Sequence, residues 1–258
     1  MEREKGDDMS NDFLSGLQRS HASVAGMDFE LPVVIREARI FSAVFPASSR
    51  KLRKLIPIEC PSPAQILPGT GLIQLTAYEY RDSDLGPFNE FSVVIPLYSP
   101  HAKMLPAYNL LKARTTREVH NFLLHRGTTS EAAVRILGEW HLWPEFLSGI
   151  EIGEDDGWLT CEWKEKGELI CRLRGRKVPA KKSGRIKVFI YTPAHPRAQR
   201  ADINPCESAT VLKSPDVEVE LGDSHPIARE ISETLKSTKP RMYTYAPSWQ
   251  LIAYGPRW

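Results

Sequence analysis

From about residue 28 onward the chain is built of short runs in which apolar residues alternate with polar ones or crowd together. Runs at 38–45, 71–80, 88–97, 118–125 and 185–192 are rich in β-branched and aromatic residues and are bounded by Pro, Gly, Asp and Ser, the pattern of strands. A late pair, 242–246 and 250–254, predicts a closing hairpin. Helical signals are confined to three places. Residues 48–56 carry a serine cap and leucines at 52 and 55 and stop at Pro57. Thr128-Thr-Ser-Glu131 has the form of a capping box and predicts a helix through Ala132, Ala133, Ile136 and Leu137 that ends near Gly138. Ser224-His-Pro226 opens the third, with Ile227, Ile231 and Leu235 at i, i+4 spacing.

Residues 1–27 read as a flexible polar tail, in which Phe13, Leu14 and Leu17 offer a short docking helix. Residues 28–258 read as a single domain. Many strands with a few separate helices predict an α+β fold, mostly β. The absence of a regular βαβ alternation sets the doubly wound nucleotide-binding folds aside.

One hairpin can be read in detail. Leu159, Cys161 and Trp163 alternate on one face of its first strand, and Leu169, Cys171 and Leu173 on one face of its second. Both apolar faces coincide if Lys164 pairs with Glu168 across a three-residue turn, 165–167, with Gly167 in the left-handed position. That register sets Cys161 opposite Cys171, as two reduced core thiols rather than a disulfide.

Composition narrows the function classes. Among 258 residues, 26% are charged and 41% hydrophobic, and the net charge is +2, so the molecule as a whole has no bias toward nucleic acid or anionic lipid. No apolar run reaches the length of a membrane span, and the mixed-charge start MEREKGDDMSND lacks a signal peptide's apolar stretch, so the expectation is a cytoplasmic protein with no membrane partner. The basic segment 172–187 has two readings, a phosphate-tracking patch and a solvated loop. The lack of interleaved aromatics favours the loop, and no nucleic-acid partner is expected.

No P-loop, GxGxxG, HExxH or GxSxG motif is present, and the seven histidines form no ligand pair with a third donor nearby. No metal and no cofactor are therefore expected. Two stretches carry candidate chemistry. Asp84-Leu-Gly-Pro-Phe-Asn-Glu90 delivers a glutamate by a turn onto the start of an apolar strand. There it is either a carboxylate inside a cavity, its pKa raised by burial, or an edge residue facing water. Leu137-Gly-Glu139-Trp-His141-Leu-Trp143-Pro-Glu145-Phe146 gathers aromatics, a histidine and glutamates around a proline, either as a pocket wall or as a core plug.

In this order and spacing these stretches resemble the acetoacetate decarboxylase family. The resemblance runs over roughly residues 30–256. An early strand and helix ending in leucine-x-proline is matched at 41–57, and a Leu-Gly-x-aromatic-x-Glu element at Leu85-Gly86-Pro87-Phe88-Asn89-Glu90. The helix that leads into Gly-Arg-Glu-x-x-Gly-aromatic-Pro-Lys is matched at 137–145. The resemblance implies a closed β barrel or cone with peripheral helices, a symmetric homo-oligomer, and a cavity for a small carbonyl or keto-acid ligand. It also implies a lysine after the motif proline, which condenses with the substrate carbonyl. Here that position holds Glu145, followed by Phe146, and a carboxylate cannot form an imine. The motif arginine is replaced by Gly138. Arg36 and Arg39 are the candidates nearest the family's early-strand arginine, which serves the substrate carboxylate. Glu90 carries over, and Glu139 reads as a structural partner.

The expectation is therefore acid–base chemistry without a Schiff base, of lyase, hydratase, cyclase or isomerase type, on a small or polyketide-like carbonyl substrate. Glu90 and Glu145 form a carboxylate pair of unequal pKa, and His120 and His141 are proton carriers. Arg36, Arg39, Phe88, Trp143 and Phe146 contact substrate. A non-catalytic small-molecule binder using the same cavity is the alternative.

Overall fold

Period-two alternation sends one set of side chains to each face of a strand, and long strands that are apolar on both faces need both covered. The computed structural model, which describes residues 11–24, 26–100, 116–213 and 216–255, meets that need by curling one sheet on itself and stacking a second against it. The hairpin β1 (Ser20–Val24) and β2 (Met27–Leu31) comes first, followed by the long β3 (Val33–Ser48). Then come β4 (Gln65–Leu67), β5 (Thr70–Ser83), β6 (Phe88–Leu97), β7 (Glu118–Thr128) and the short β8 (Glu145–Leu147). A meander follows of β9 (Gly149–Asp155), β10 (Trp158–Glu165) and β11 (Glu168–Arg176). β12 (Lys181–Lys182), β13 (Ile186–Tyr191), β14 (Gln199–Leu212), β15 (Val217–Leu221) and β16 (Met242–Ala253) complete the strands. The helices are α1 (Asn11–Leu14), α2 (Ser49–Leu55), α3 (Glu131–Ala133), which continues as a π-helix over Val134–Trp140, and α4 (Pro226–Thr234).

Strands β14, β13, β7, β6, β5, β3 and β16 pair in that order, and β16 returns to β14, closing a seven-stranded barrel. Closure removes the edges that an open sheet would expose. The second sheet, ordered β15-β11-β10-β9, packs on the outside of the barrel. Phe41, Ile73 and Phe91 from the barrel meet Leu159, Cys161 and Trp163 from that sheet in one buried cluster. A separate cluster fills one end of the barrel, where Phe88, Val94, Leu123 and Trp249 meet Ile136 and Leu137 of the π-helix. The mostly β architecture and the closed barrel are as the sequence predicts.

Several local details differ from the sequence reading. In the β10–β11 hairpin, Glu165 pairs with Glu168 across a two-residue turn, with Lys166 and Gly167 both at positive φ, 49° and 86°. A register shift at Trp163/Lys164 then sets Cys161 opposite Leu173 and Trp163 opposite Cys171. The extra residue restores the parity that a two-residue turn alone would break, so both apolar faces still coincide. The two thiols are free, fully buried and diagonal to each other rather than facing.

The expected late hairpin is instead one long strand, β16, bent by register shifts at Ala246/Trp249 and Trp249/Leu251. Ser130, not Thr128, caps α3, accepting from the Ala133 amide at 3.2 Å, and the helix runs past Gly138 to Trp140. His225 caps α4 by accepting from the Ile227 amide at 3.2 Å. Within the stretch read as a tail, α1 and β1 are formed, and Phe13 is buried. The basic segment is laced to acids: Arg172 to Glu162 and Glu220, Arg174 to Glu218, Lys177 to Glu154. Among the described residues, no helix is long and apolar enough to cross a membrane.

Candidate functional site

On β7, Val119, Asn121 and Leu123 face the barrel interior, and simple alternation would next send His125 inward and Arg126 out. A bulge prevents this. His125 pairs with Val93 and Leu123 with Val94, leaving Leu124 as the extra residue. Parity flips there: His125 turns out to meet Glu230 of α4 at 2.6 Å, and Arg126 turns into the barrel. Next along the strand, Gly127 must lack a side chain, since a Cβ there would lie 2.8 Å from Cε2 of the fully buried Trp163.

Inside, the Arg126 guanidinium is held between two carboxylates. Its Nε lies 3.0 Å from Glu145 Oε1, and its Nη2 pairs with Glu90 Oε1. Glu90 and the Glu145 side chain are fully withdrawn from solvent, and Arg126 is 6% exposed. The Tyr80 hydroxyl donates to Glu90 Oε1 at 3.1 Å and accepts from Arg126 Nη2 at 3.2 Å. Trp143 lies under the guanidinium, its ring centroid 4.4 Å from Cζ, and Tyr78 flanks it at 6.0 Å. Arg126 Nη1 has no hydrogen-bond partner among the described residues.

The electrostatics follow from burial. Desolvation raises the Glu90 carboxyl, with Arg126 and the Tyr80 hydroxyl pulling it back. Desolvation holds Glu145 well above the ordinary carboxylate range. Arg126 opposes that rise and the Glu90 charge adds to it. Glu145 lacks the hydroxyl donor that Glu90 has: neither of its oxygens accepts a hydrogen bond, whereas Glu90 Oε1 does and only its Oε2 goes without. Of the two carboxyls, burial raises Glu145 the more strongly. Desolvation pulls the Arg126 pKa down, but the charge of Glu90 and then of Glu145 outweighs it and raises the net value, so the guanidinium stays charged.

The barrel encloses a cavity of about 450 Å³ whose wall includes Arg126, Tyr78, Tyr80 and Trp143. Glu90 and Glu145 stand behind that wall. His120 borders the cavity six residues along β7 from Arg126, but its ring stacks on Phe189 and its Nδ1 lies 3.2 Å from the Tyr191 hydroxyl, both members of the cluster outside the barrel. His141 is fully buried beside Trp143, and its imidazole, desolvated and near Arg126, is pushed down to about 4 and stays neutral. Trp143 is fixed by donating from Nε1 to Gln199 Oε1 at 3.0 Å.

The remaining candidates lie elsewhere. Arg36 pairs with Asp82 and Asp84 at the surface, and Arg39 with Glu79 and Glu154, so the structure brings neither to the cavity. Phe88 packs behind Tyr80, with ring centroids 4.5 Å apart. Phe146 packs on Trp163 in the core between barrel and second sheet. Sequence reasoning missed Arg126 and the two tyrosines. The available signal was a lone arginine separated by one residue from the apolar run Phe122-Leu123-Leu124.

No protein-family model and no curated protein sequence matches the chain. Solved structures do match it. Acetoacetate decarboxylase from Legionella pneumophila aligns with a TM-score of 0.60 over 99% of this chain and 96% of its own, at 13% identity. This chain has the acetoacetate decarboxylase fold. An acetoacetate decarboxylase-like enzyme from Sphingomonas wittichii RW1 shares the fold at TM-score 0.54, covering 86% of this chain and 91% of its own, with 13% identity. The enduracididine biosynthesis enzyme MppR shares it at TM-score 0.57, with 87% and 86% covered and 6% identity. MppR has been solved with pyruvate, and with the condensation product of pyruvate and imidazole 4-carboxaldehyde. In the present version of the acetoacetate decarboxylase fold, no lysine is among the described residues of the cavity wall. Lys103 and Lys112 lie outside the described residues.

Proposed function

We propose that the barrel cavity takes a carbonyl or keto-acid anion and performs acid–base chemistry on it without a Schiff base. The observation that carries this reading is the buried cluster in which Arg126 is shared by Glu90, Glu145 and Tyr80. A cation in a low-dielectric wall, with Nη1 unused, suits a carboxylate or a developing enolate oxygen. The Tyr80 hydroxyl, in the wall and bonded to Glu90, then moves the proton. As Tyr80 oxygen takes a proton from the carbon next to the carbonyl, its own proton passes to Glu90, and the reverse sequence returns it. A lyase, hydratase, cyclase or isomerase reaction would each begin from the enolate so formed.

The test is solvent exchange. Acetoacetate and a series of 2-oxo acids are incubated in D₂O with the protein, and loss of the C–H proton resonances is followed by NMR against buffer. Protein-dependent exchange on at least one acid, abolished in Glu90→Gln, is expected. The second reading, a non-catalytic binder, draws on one observation: both carboxylates stand behind the wall and are engaged by Arg126. Quenching of the wall tryptophans by a ligand, with no exchange on any acid, would decide for it.

A further inference from the structure

The cavity wall is mostly apolar and carries a connected polar stripe along β5. Along β5 the wall runs from the apolar Leu72 through Gln74, Thr76, Tyr78 and Tyr80, each bearing a polar group; Ser92 of β6 lies beside them, Ser42 of β3 hydrogen-bonds to Thr76, and Ile40, Val44 and Val94 complete this side. The wall from β13, β14 and β16 carries Val188, Ile190, Ile203, Ala246 and Leu251, and, farther along β14 and near the start of β16, the polar Ser208, Thr210 and Thr244. The polar stripe is wired. Ser92 donates to the Tyr78 hydroxyl at 3.3 Å, Ser42 and Thr76 share a 2.8 Å hydrogen bond, and Gln74 Nε2 donates to both of those hydroxyls at 2.9 and 3.2 Å. With its amide nitrogen so engaged, Gln74 Oε1 is left as an acceptor, and it has no partner among the described residues.

We infer that the natural ligand is an elongated monocarboxylate with a hydroxyl donor at its far end, its acid on Arg126 and its hydroxyl on Gln74. This rests on the reading of Arg126 as the anion site. The dimensions support it. A strand rises about 7 Å per two residues, so Tyr78 beside Arg126 and Gln74 are separated by about 14 Å, the length of an extended ten-carbon chain. The cavity, at about 450 Å³, falls in the range of about 300–1,000 Å³ that encloses drug-sized ligands. An acid as small as pyruvate or acetoacetate fills only a fraction of it and leaves the apolar wall wet. A chain laid along the stripe covers that wall and satisfies Gln74.

The experiment reads quenching of Trp143 and Trp249, both in the wall, on titration with acetoacetate, decanoate and 10-hydroxydecanoate. Each methylene buried should tighten binding by about fourfold at best, so the two long acids are expected to bind at least about tenfold tighter than acetoacetate. The terminal hydroxyl should add about fivefold over decanoate. Gln74→Leu should erase that difference while leaving decanoate binding intact, which also verifies that the variant is folded. Acetoacetate binding as tightly as the long acids, or Gln74→Leu weakening both long acids equally, would overturn the inference. Failure here is separable from failure of the proposed chemistry. Proton exchange on short acids with no gain for long ones sinks only the ligand class, and tight long-chain binding with no exchange on any acid sinks only the acid–base reading.

Discussion

Arg126 Nε lies 3.0 Å from Glu145 Oε1, and neither side chain has appreciable contact with water. A buried ion cluster of this kind adds little net stability, because desolvating the charges costs about as much as their attraction returns, yet removing one partner is expensive. Arg126→Met should therefore destabilise the fold by about 3–5 kcal/mol, measured by urea denaturation. Adding Glu90→Gln, which removes the carboxylate left unbalanced, should recover a large part of that loss. No recovery in the double variant would show that the arginine acts by packing under Trp143 rather than by charge.

The glutamates are visible in the sequence because each stands next to turn-forming residues at an apolar boundary, Gly86-Pro87 for Glu90 and Pro144 for Glu145. Arg126 is not, and the reason is geometric. Alternation counted from Val119 places it outside the barrel, and only the unpaired Leu124 reverses the count. The same arithmetic misleads at Cys161, where a bulge at Trp163/Lys164 shifts the register, and in β16, where two shifts turn an apparent hairpin into one bent strand. Arg36 and Arg39 fail for a related reason. They lie on the outer side of β3, where Asp82, Asp84, Glu79 and Glu154 are available to pair with them. Bulges depend on which neighbour a strand meets across the barrel, and a single strand's pattern does not contain that.

Two buried groups should give stability opposite slopes with pH. His141 is held down at about 4, against an ordinary value of about 6.5, so the unfolded chain binds that proton first. Its contribution is whole above about pH 6.5 and is lost as the pH falls to about 4, a change of about 3 kcal/mol. Glu145 is raised, so its contribution is whole below about pH 4.3 and is lost as the pH climbs toward its folded value. In urea midpoints measured from about pH 4 to pH 8, His141→Gln should flatten the acid limb, and Glu145→Gln should flatten the loss on the other side. Unchanged slopes in both variants would contradict the assignment of these groups as the buried pair behind the two slopes.

Covalent capture tests whether an amine takes part. With no lysine among the described residues of the cavity wall, incubation with acetoacetate or 2-oxo acids followed by borohydride should leave the intact mass unchanged. A stoichiometric adduct on a lysine, including Lys103 or Lys112, would place an imine-forming amine at the cavity and replace the acid–base account with a Schiff-base one.

The two carboxylates should not be equivalent in function. Glu145, whose carboxyl burial raises the more strongly and which has no hydrogen bond to Tyr80, supports Arg126 from behind. Replacing Glu90 by Gln keeps the shape and removes the proton acceptor, so exchange catalysed by the cavity should fall by about 10²-fold or more. Tyr80→Phe, which removes the link between Glu90 and the cavity, should fall by a similar factor. The two losses should not add in the double variant, since they interrupt one path. Replacing Glu145 by Gln leaves Tyr80 and Glu90 in place, so the rate should change by less than about tenfold. Keto-acid binding, read from tryptophan quenching, should persist in all of these variants because Arg126 remains. A rate that falls in Glu145→Gln but not in Glu90→Gln would reverse the roles given to the pair and move the proton path to the other side of the arginine.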